Sequence, residues 1–478
     1  MRTESDALGS RQLEDDVYYG IQTQRALENF AISNTTVADI PGYVASIVTL
    51  KKAAALANCR IGALDADVCR AICRAAEAVL AAPDPAEFPV DIYQGGGGTP
   101  TNMNVNEVLA NRANELLTGA KGYDAVHPNT HVNMGQSTND VIPSAMKLTM
   151  HGLLGHLQTA VAGFAAELRR KEEAFADVVK VGRTCLQDAL PITLGQQLSG
   201  YRGAFERAAA AIGELRPHCL ELPMGATAIG TGFGTFPGYG DALVAALREE
   251  TGLPVGLESN LFDGLQNADF WISVSAVLKI TATHLNKLAS DLRIVSSGPR
   301  AGLSELRLPA VQPGSSIMPG KVNPVMPEMA MQVYFRVLGN DVSVSRACEG
   351  ELDLNVWESL ILHCLAESTT LLTACLPLMA EKCIRDLAVN REVCRANAER
   401  SLALSTAIAT EIDYPTASKL AKQAEREGKS VKDVAVETGL LSAERAEALL
   451  DPLTLTSPGR FNALFVGKAR REAPAEHR

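Results

Sequence analysis

Residues 270–295 read FWISVSAVLKITATHLNKLASDLRIV, one of the longest uninterrupted helical patterns in the chain. Their apolar residues recur at intervals of three and four, and neither glycine nor proline breaks the series. This spacing places the apolar side chains on one face of an α-helix. The stretch therefore predicts a helix of more than about five turns, longer than most helices of globular proteins.

Similar patterns lie on both sides of this stretch. They predict helices over residues 44–57, 66–81, 107–117, 141–179, 193–215, 328–344, 356–379, 415–427 and 442–450. Strand signals are few and short. Long helices joined by loops rich in Thr, Ser, Asn and Gly predict a mainly α protein, a long helical bundle with its sites at the loop ends.

The bulk composition limits the class of partner. The chain has 478 residues, so we expect more than one domain. Its net charge of −11 argues against nucleic acid as the main partner but leaves room for a small anion bound by local donors. The polar N-terminus does not resemble a signal peptide, and no run reaches the length of apolar residues that we expect of a membrane helix.

The ten cysteines are scattered, mostly within apolar helical patterns. That usage fits reduced thiols in a cytoplasmic protein. Cys69 and Cys73 are spaced for one helix face, but no second Cys/His pair lies nearby, so we expect core packing rather than a metal site.

One loop concentrates chemically useful side chains. It reads Gly314-Ser315-Ser316-Ile317-Met318-Pro319-Gly320-Lys321-Val322-Asn323-Pro324. Its glycines and prolines disfavour a regular element, and its hydroxyls, ammonium and carboxamide suit an anionic ligand. The alternative is an ordinary surface turn, but this combination of residues is rare enough to favour a functional site.

Further polar loops precede predicted helices. They are Gly95–Asn104, Gln136–Asp140 and Gly182–Asp188, and Gly225–Gly232 is a further tight loop that we expect near the site. The first has no Gly-Lys-Ser/Thr after its glycines, so a nucleotide loop is disfavoured. Loops of this composition at helix starts favour a binding site for a small polar substrate.

Together these motifs resemble the signatures of the aspartase/fumarase superfamily, and the resemblance covers nearly the whole chain. It implies three helical domains, over residues 1–140, 141–396 and 397–478, with the Ser-Ser loop in the second. It further implies that the long central helices form a twenty-helix core of a homotetramer. Active sites of this family are shared by three subunits.

Members of the family eliminate a group from the carbon next to a carboxylate, and most release fumarate. The resemblance implies that Ser315 is the catalytic base and Ser316 a supporting donor. It also implies a set of substrate-binding residues. Lys321 and Asn323, with Thr184 beside them, would bind the α-carboxylate; Thr99, Ser137 and Thr138 would hold the other carboxylate; and Asn139 would lie near the leaving group.

The resemblance leaves the leaving group to be decided. Stretches such as Asp91–Gly96 and Gly225–Gly230 resemble the ammonia-releasing members. Fumarate hydratases place a histidine directly after Gly-Arg-Thr, where this chain has Cys185. A thiol cannot replace imidazole in protonating a hydroxide leaving group. The expectation is therefore a carbon–nitrogen lyase that releases ammonia from L-aspartate.

Other readings stay open. They are hydration of fumarate, a lyase of a substituted aspartate, and a catalytically silent structural member of the family. We expect no organic cofactor and no metal ligand set, although some members that act on aspartate are activated by divalent metal. The expected partners are a small dicarboxylate substrate and further copies of the chain, without nucleic acid or membrane.

Overall fold

The computed structural model describes residues 1–466, which are mostly helical, with 62% helix and 8% strand. The mainly α prediction is confirmed. The helices are α1 (Ile21–Asn29), α2 (Tyr43–Arg60), α3 (Ala66–Ala81), α4 (Thr99–Thr118), α5 (Thr138–Ala174), α6 (Leu194–Leu215), α7 (Tyr239–Thr251), α8 (Leu261–Gln266), α9 (Asp269–Val295), α10 (Val325–Ala347), α11 (Glu358–Met379), α12 (Arg391–Arg400), α13 (Ser405–Glu411), α14 (Tyr414–Glu427), α15 (Val431–Glu437), α16 (Ala443–Leu449) and α17 (Pro458–Ala463).

The strands are short and paired in twos. They are β1 (Arg2–Asp6), β2 (Gly9–Leu13), β3 (Val179–Thr184), β4 (Gln187–Thr193), β5 (Glu221–Leu222), β6 (Gly256–Leu257), β7 (Leu306–Arg307) and β8 (Ala388–Val389). The pairs β1–β2, β3–β4 and β7–β8 are antiparallel, and β5–β6 is parallel. The Gly182–Asp188 stretch lies within the β3–β4 hairpin, whose two strands the sequence pattern did not indicate.

The prediction for α4 began too late. This helix starts at Thr99, eight residues before the predicted start at Glu107. Gly98 adopts a left-handed backbone (φ 81°) just before it, and Pro100 lies in the first turn, where its missing N–H costs nothing. The glycine run therefore ends in the helix start itself, which brings Thr99 to the N-terminus of α4.

The chain divides into two compact units. Unit 1 contains residues 1–160, 208–283 and 333–374, and unit 2 contains residues 161–207, 284–332 and 375–478. The division between them falls inside five long helices, α5, α6, α9, α10 and α11. The finer three-domain division stays a prediction. Residues 404–450 do form an apolar cluster of their own, as expected of a small helical domain, while residues 467–478 lie outside the described part.

One helix bears on the expectation that no apolar run has the length of a membrane span. The segment Glu358–Ile384, which contains α11, is long and apolar enough to cross a membrane by length and composition. Of its most apolar window, 56% is buried inside the protein. Burial of that kind is typical of a core helix in a soluble protein, which the hydropathy pattern alone does not distinguish from a membrane span.

Candidate active site

Thr99 and Thr138 come together at the starts of two helices of unit 1. The Oγ1 atoms of the two threonines are 3.3 Å apart, and Thr99 also donates to the carbonyl oxygen of Gly96 at 2.8 Å. Asn102, which is buried one turn further along α4, donates from Nδ2 to Thr138 Oγ1 at 3.1 Å. The two hydroxyls, only 3.3 Å apart, form a small polar patch of the kind that binds a carboxylate.

Ser137, Asn139 and Asp140 make a second group beside these threonines. Asp140 is fully buried, and its carboxylate accepts N–H bonds from Ser137 (2.9 Å), Gly225 (3.1 Å) and Thr227 (2.9 Å). Burial raises the pKa of Asp140 to about 6, against the lowering effect of those bonds. Asn139 Nδ2 donates to the carbonyl oxygen of Ala228 at 2.7 Å. The Gly225–Gly232 loop is therefore anchored directly to the Ser-Thr-Asn motif.

A buried polar network lies behind Thr138, and the sequence reading did not single it out. Asn133 Oδ1 accepts three hydrogen bonds, from Lys51 Nζ (2.9 Å), Asn102 Nδ2 (3.2 Å) and Asn106 Nδ2 (3.1 Å). Lys51, Asn102 and Asn106 are each at most 1% exposed. Asn133 follows a π-helical turn, Pro128–Val132, where the sequence predicted only a loop.

In unit 2, Ser315 occupies a turn that supplies it with two donors. The backbone N–H groups of Ile317 and Met318 donate to Ser315 Oγ at 3.2 and 3.0 Å. Donors aimed at an oxygen favour its negatively charged form. The arrangement supports a serine that accepts a proton, because the alkoxide needed for that role is stabilised locally.

Lys321 and Asn323 are held close to Ser315 because the loop folds back on itself. The N–H of Gly314 donates to the Lys321 carbonyl oxygen at 2.8 Å, and Asn323 Nδ2 donates to the Gly314 carbonyl oxygen at 2.8 Å. A Cβ on Gly314 would lie 2.6 Å from that Lys321 oxygen, so only glycine fits. Ser315 and Lys321 also line one cavity of about 500 Å³. Ser316 and Lys321 are exposed.

Thr184 and Cys185 lie at the tip of the β3–β4 hairpin. Thr184 pairs with Gln187, and the two residues between them, Cys185 and Leu186, both have positive φ (54° and 60°). Such a two-residue turn normally takes Asn or Gly, so this tip is strained. Cys185 is the exposed thiol of the chain's ten, of which eight are buried.

Arg183 ties the hairpin to the segment that leads into the Ser-Ser loop. Its Nη2 lies 2.6 Å from Glu305 Oε1, and Lys180 Nζ lies 3.2 Å from Glu305 Oε2. Glu305 is fully buried, and these two cations hold its pKa below the ordinary value although burial acts in the opposite direction. Arg183 therefore bridges the hairpin and this segment through the Glu305 carboxylate.

The predicted site residues thus form two groups within one chain. Thr99, Ser137, Thr138 and Asn139 lie together in unit 1, and Ser315, Ser316, Lys321 and Asn323 lie together in unit 2. Among the described residues no hydrogen bond joins Thr184 to the group in unit 2. Among residues 1–466, no set of three or more His, Cys, Asp or Glu side chains is arranged to hold a metal ion.

Known proteins resemble this chain over most of its length. A family model described as "Lyase" matches residues 9–339, and one described as "Fumarase C C-terminus" matches residues 404–457. An aspartate ammonia-lyase of Helicobacter pylori is 42% identical over 463 residues, 96% of this chain and 99% of that protein. A class II fumarate hydratase of Halobacterium salinarum is 44% identical over 460 residues, 96% of this chain and 97% of that protein.

A solved structure has nearly the same fold. The crystal structure described as fumarate lyase:delta crystallin from Brucella melitensis bound to cobalt has a TM-score of 0.93 and 42% identity, covering 96% of this chain and 100% of that one. A class II fumarase from Schistosoma mansoni gives a TM-score of 0.92 at 36% identity, covering 96% and 99%. This chain is therefore an enzyme of the lyase family and belongs to the aspartase/fumarase superfamily.

Proposed function

We propose that this enzyme is an aspartate ammonia-lyase, which reversibly eliminates ammonia from L-aspartate to give fumarate. Ser315 Oγ, supported by the two N–H groups of Ile317 and Met318, takes a proton from Cβ of the substrate. The electron pair passes into the neighbouring carboxylate and gives an aci-carboxylate. Collapse of this intermediate forms the double bond and releases the amino group.

The hydroxyl donors of unit 1 suit the intermediate. The aci-carboxylate carries more negative charge than the ground state, so Thr99, Ser137 and Thr138 stabilise it more strongly than they stabilise aspartate. Lys321 and Asn323, with Thr184, hold the α-carboxylate. Ser316 supports the loop as a further donor. This division of roles follows the family resemblance and agrees with the donor types in each group.

Two observations favour ammonia over water. The position after Thr184 is Cys185, at an exposed hairpin tip, where a fumarate hydratase carries histidine. A thiol is a weaker proton donor near neutral pH than the imidazolium of histidine, whereas an amino group that leaves already protonated does not need that help. One N–H of Asn139 Nδ2 donates to the carbonyl oxygen of Ala228, which orients the amide. Its side-chain oxygen is an acceptor suited to an ammonium group.

We further propose a homotetramer in which each active site combines residues of three subunits. The proposal is supported by exposure: Thr99, Thr184, Ser316 and Lys321 are all exposed in the single chain. Donors that bind a dicarboxylate tightly are normally shielded from water, so another surface must cover them. A cytoplasmic location, in which the thiols stay reduced, is part of the same proposal.

One assay separates the candidate functions. Purified enzyme is given L-aspartate and, separately, L-malate, and fumarate is followed by its ultraviolet absorbance. We expect fumarate from aspartate. Fumarate from malate alone would establish the second candidate, a fumarate hydratase, which the 44% identical relative favours. Turnover of neither substrate would point to a substituted aspartate or to a silent member.

A further inference from the structure

Lys51 is a buried cation that the mechanism above does not use. It lies in the middle of α2 with 0% of its surface exposed, and its recorded hydrogen bond is to Asn133 Oδ1 at 2.9 Å. The neighbouring Lys52 has ordinary ion pairs, with Glu77 at 3.0 Å and Glu250 at 2.7 Å. Burial lowers the pKa of Lys51 to about 7, against the raising effect of the buried Asp140 carboxylate. A buried amine without a close ion pair costs stability, so its presence needs a reason other than stability.

The Lys51 side chain sets the direction of the hydrogen bonds around it. Its Nζ donates at 2.9 Å, so the atom of Asn133 that faces it is the oxygen. The Asn133 Nδ2 donates to the Gln136 carbonyl oxygen at 3.1 Å, which fixes the same orientation. Asn102 must then present its NH₂ group to that oxygen, as it does at 3.2 Å.

The direction continues to Thr138. The same Asn102 NH₂ group donates to Thr138 Oγ1 at 3.1 Å, so the hydroxyl oxygen is already an acceptor. Its own proton remains for a ligand, and a carboxylate, which only accepts, is the matching ligand. Charge at the start of such a chain polarises each following bond.

The network also leaves two buried polar atoms without a partner, which lowers stability. The side-chain oxygens (Oδ1) of Asn102 and Asn106 are buried and have no hydrogen-bond partner among the described residues. Unsatisfied buried amides are rare in folded proteins and frequently mark functional sites. The orientation of the amides therefore serves something other than their own hydrogen bonding.

We propose that Lys51 is a positioning residue for the reaction: through Asn133 and Asn102 it fixes the Thr138 hydroxyl as a donor to the dicarboxylate substrate. This inference rests on the proposed function, because it requires Thr138 to bind a carboxylate. Lys51 itself is buried behind the two amides and does not touch the substrate.

Lys51→Met tests the proposal, with Lys52→Met on the same helix as the matched control. The readouts are the Kd of the unreactive dicarboxylate succinate by calorimetry, the KM and kcat for L-aspartate, and the melting temperature. We expect Lys51→Met to raise Kd and KM about tenfold, the scale of a hydrogen bond to a charged group. Lys52→Met should change both less than about twofold, since its ion pairs lie outside the network.

The melting temperature separates positioning from a structural role. Methionine replaces the buried charge with an apolar chain of similar length, so the variant should melt no lower than the wild type. Weaker succinate binding by an equally stable protein supports positioning. Weaker binding that tracks a lower melting temperature would assign Lys51 to the fold alone. If Lys51→Met does not fold, Asn102→Ala breaks the middle of the chain and should give the same rise in Kd.

A double-mutant cycle supplies the decisive comparison. In a Thr138→Val background the hydroxyl is absent, so Lys51→Met should raise the Kd of succinate by less than about twofold. If the two substitutions instead raise the Kd of succinate independently, so that their factors multiply, the proposal is overturned. The proposed function is judged separately: a wild type that binds succinate but does not release fumarate from aspartate refutes that function and leaves the cycle measurable. A wild type that binds no succinate refutes the carboxylate role of Thr138, and the network proposal with it.

Discussion

The two groups of predicted site residues are built in opposite ways. In unit 1, Thr138 accepts a hydrogen bond from a polar network whose Lys51, Asn102 and Asn106 side chains are almost fully shielded from water. In unit 2, Ser315 lies in a loop whose tip is exposed, with Ile317 at 84% and Met318 at 49%. In unit 1 the buried network orients the donors before substrate binds. In unit 2 the loop is oriented only by the hydrogen bonds of its own turn. The contrast is between a rigid side in unit 1, fixed by its buried neighbours, and a loop in unit 2 that is held by its own turn.

The largest effect should come from the loop. Ser315→Ala removes the proposed base, and we expect kcat to fall by about 10² to 10⁴, the range for a positioned acid–base group. The melting temperature should not change, because the side chain is only partly buried. Ser316→Ala, at the adjacent exposed position, should lower kcat by no more than about tenfold. Equal losses in the two variants would remove the distinction between base and supporting donor.

Mixed oligomers test whether the two groups meet across subunits. Ser315→Ala and Thr138→Val are co-expressed with different affinity tags, and particles that carry both tags are purified. If each site takes these residues from different subunits, about a quarter of the sites in 1:1 mixtures contain both native residues. Fumarate release should recover to a similar fraction of the wild-type rate. Activity that stays at the level of the single variants would mean that one chain supplies both residues.

A smaller effect is expected from a substitution at Gly314, a glycine of the loop. Gly314→Ala would place Cβ 2.6 Å from the Lys321 carbonyl oxygen and 2.8 Å from the Asn323 N, both backbone atoms that cannot move aside easily. We expect kcat/KM to fall by about tenfold or more through misplaced Lys321 and Asn323. Gly163→Ala in α5, where Cβ meets nothing within 4 Å, is the control and should leave kcat/KM unchanged. An unaltered Gly314→Ala enzyme would show that the loop does not need this geometry.

The sequence predicted the regular parts of this fold better than the parts that build the site. The helix α9 was predicted within one residue, because its apolar period runs without interruption from Phe270 to Val295. The β3–β4 hairpin was missed because its strands are short, and its turn uses Cys185 and Leu186 at positive φ in place of Asn or Gly.

The site was predicted as residues of a family but not as a network. Ser315 and Thr138 lie in sequence motifs that can be recognised from a single sequence. Lys51 stands beside Lys52 in an alanine-rich helix, and nothing in that pattern tells which lysine faces inward. Only the packing of α2 against α4 places Lys51 behind Asn133, so tertiary structure was needed to find it.

The smallest expected effect concerns the rigid side and its response to pH. Glu358, at the start of α11 in unit 1, is 4% exposed, and burial raises its pKa to about 8. Its Oε2 has no hydrogen-bond partner among the described residues. Between about pH 4.5 and pH 8 the unfolded chain has lost this proton while the folded chain keeps it, so Glu358 makes stability fall as pH rises through that window.

Glu358→Gln should remove that slope because the amide does not titrate. We expect the variant to melt roughly 2 to 5 °C higher than the wild type at pH 8.5 and nearly equal to it at pH 4.5. Calorimetric scans at several pH values give the comparison, with Glu349→Gln, an exposed glutamate, as the control. A constant difference across pH would show that Glu358 ionises normally, and the rigid side would then owe its stability to packing without a cost from this buried acid.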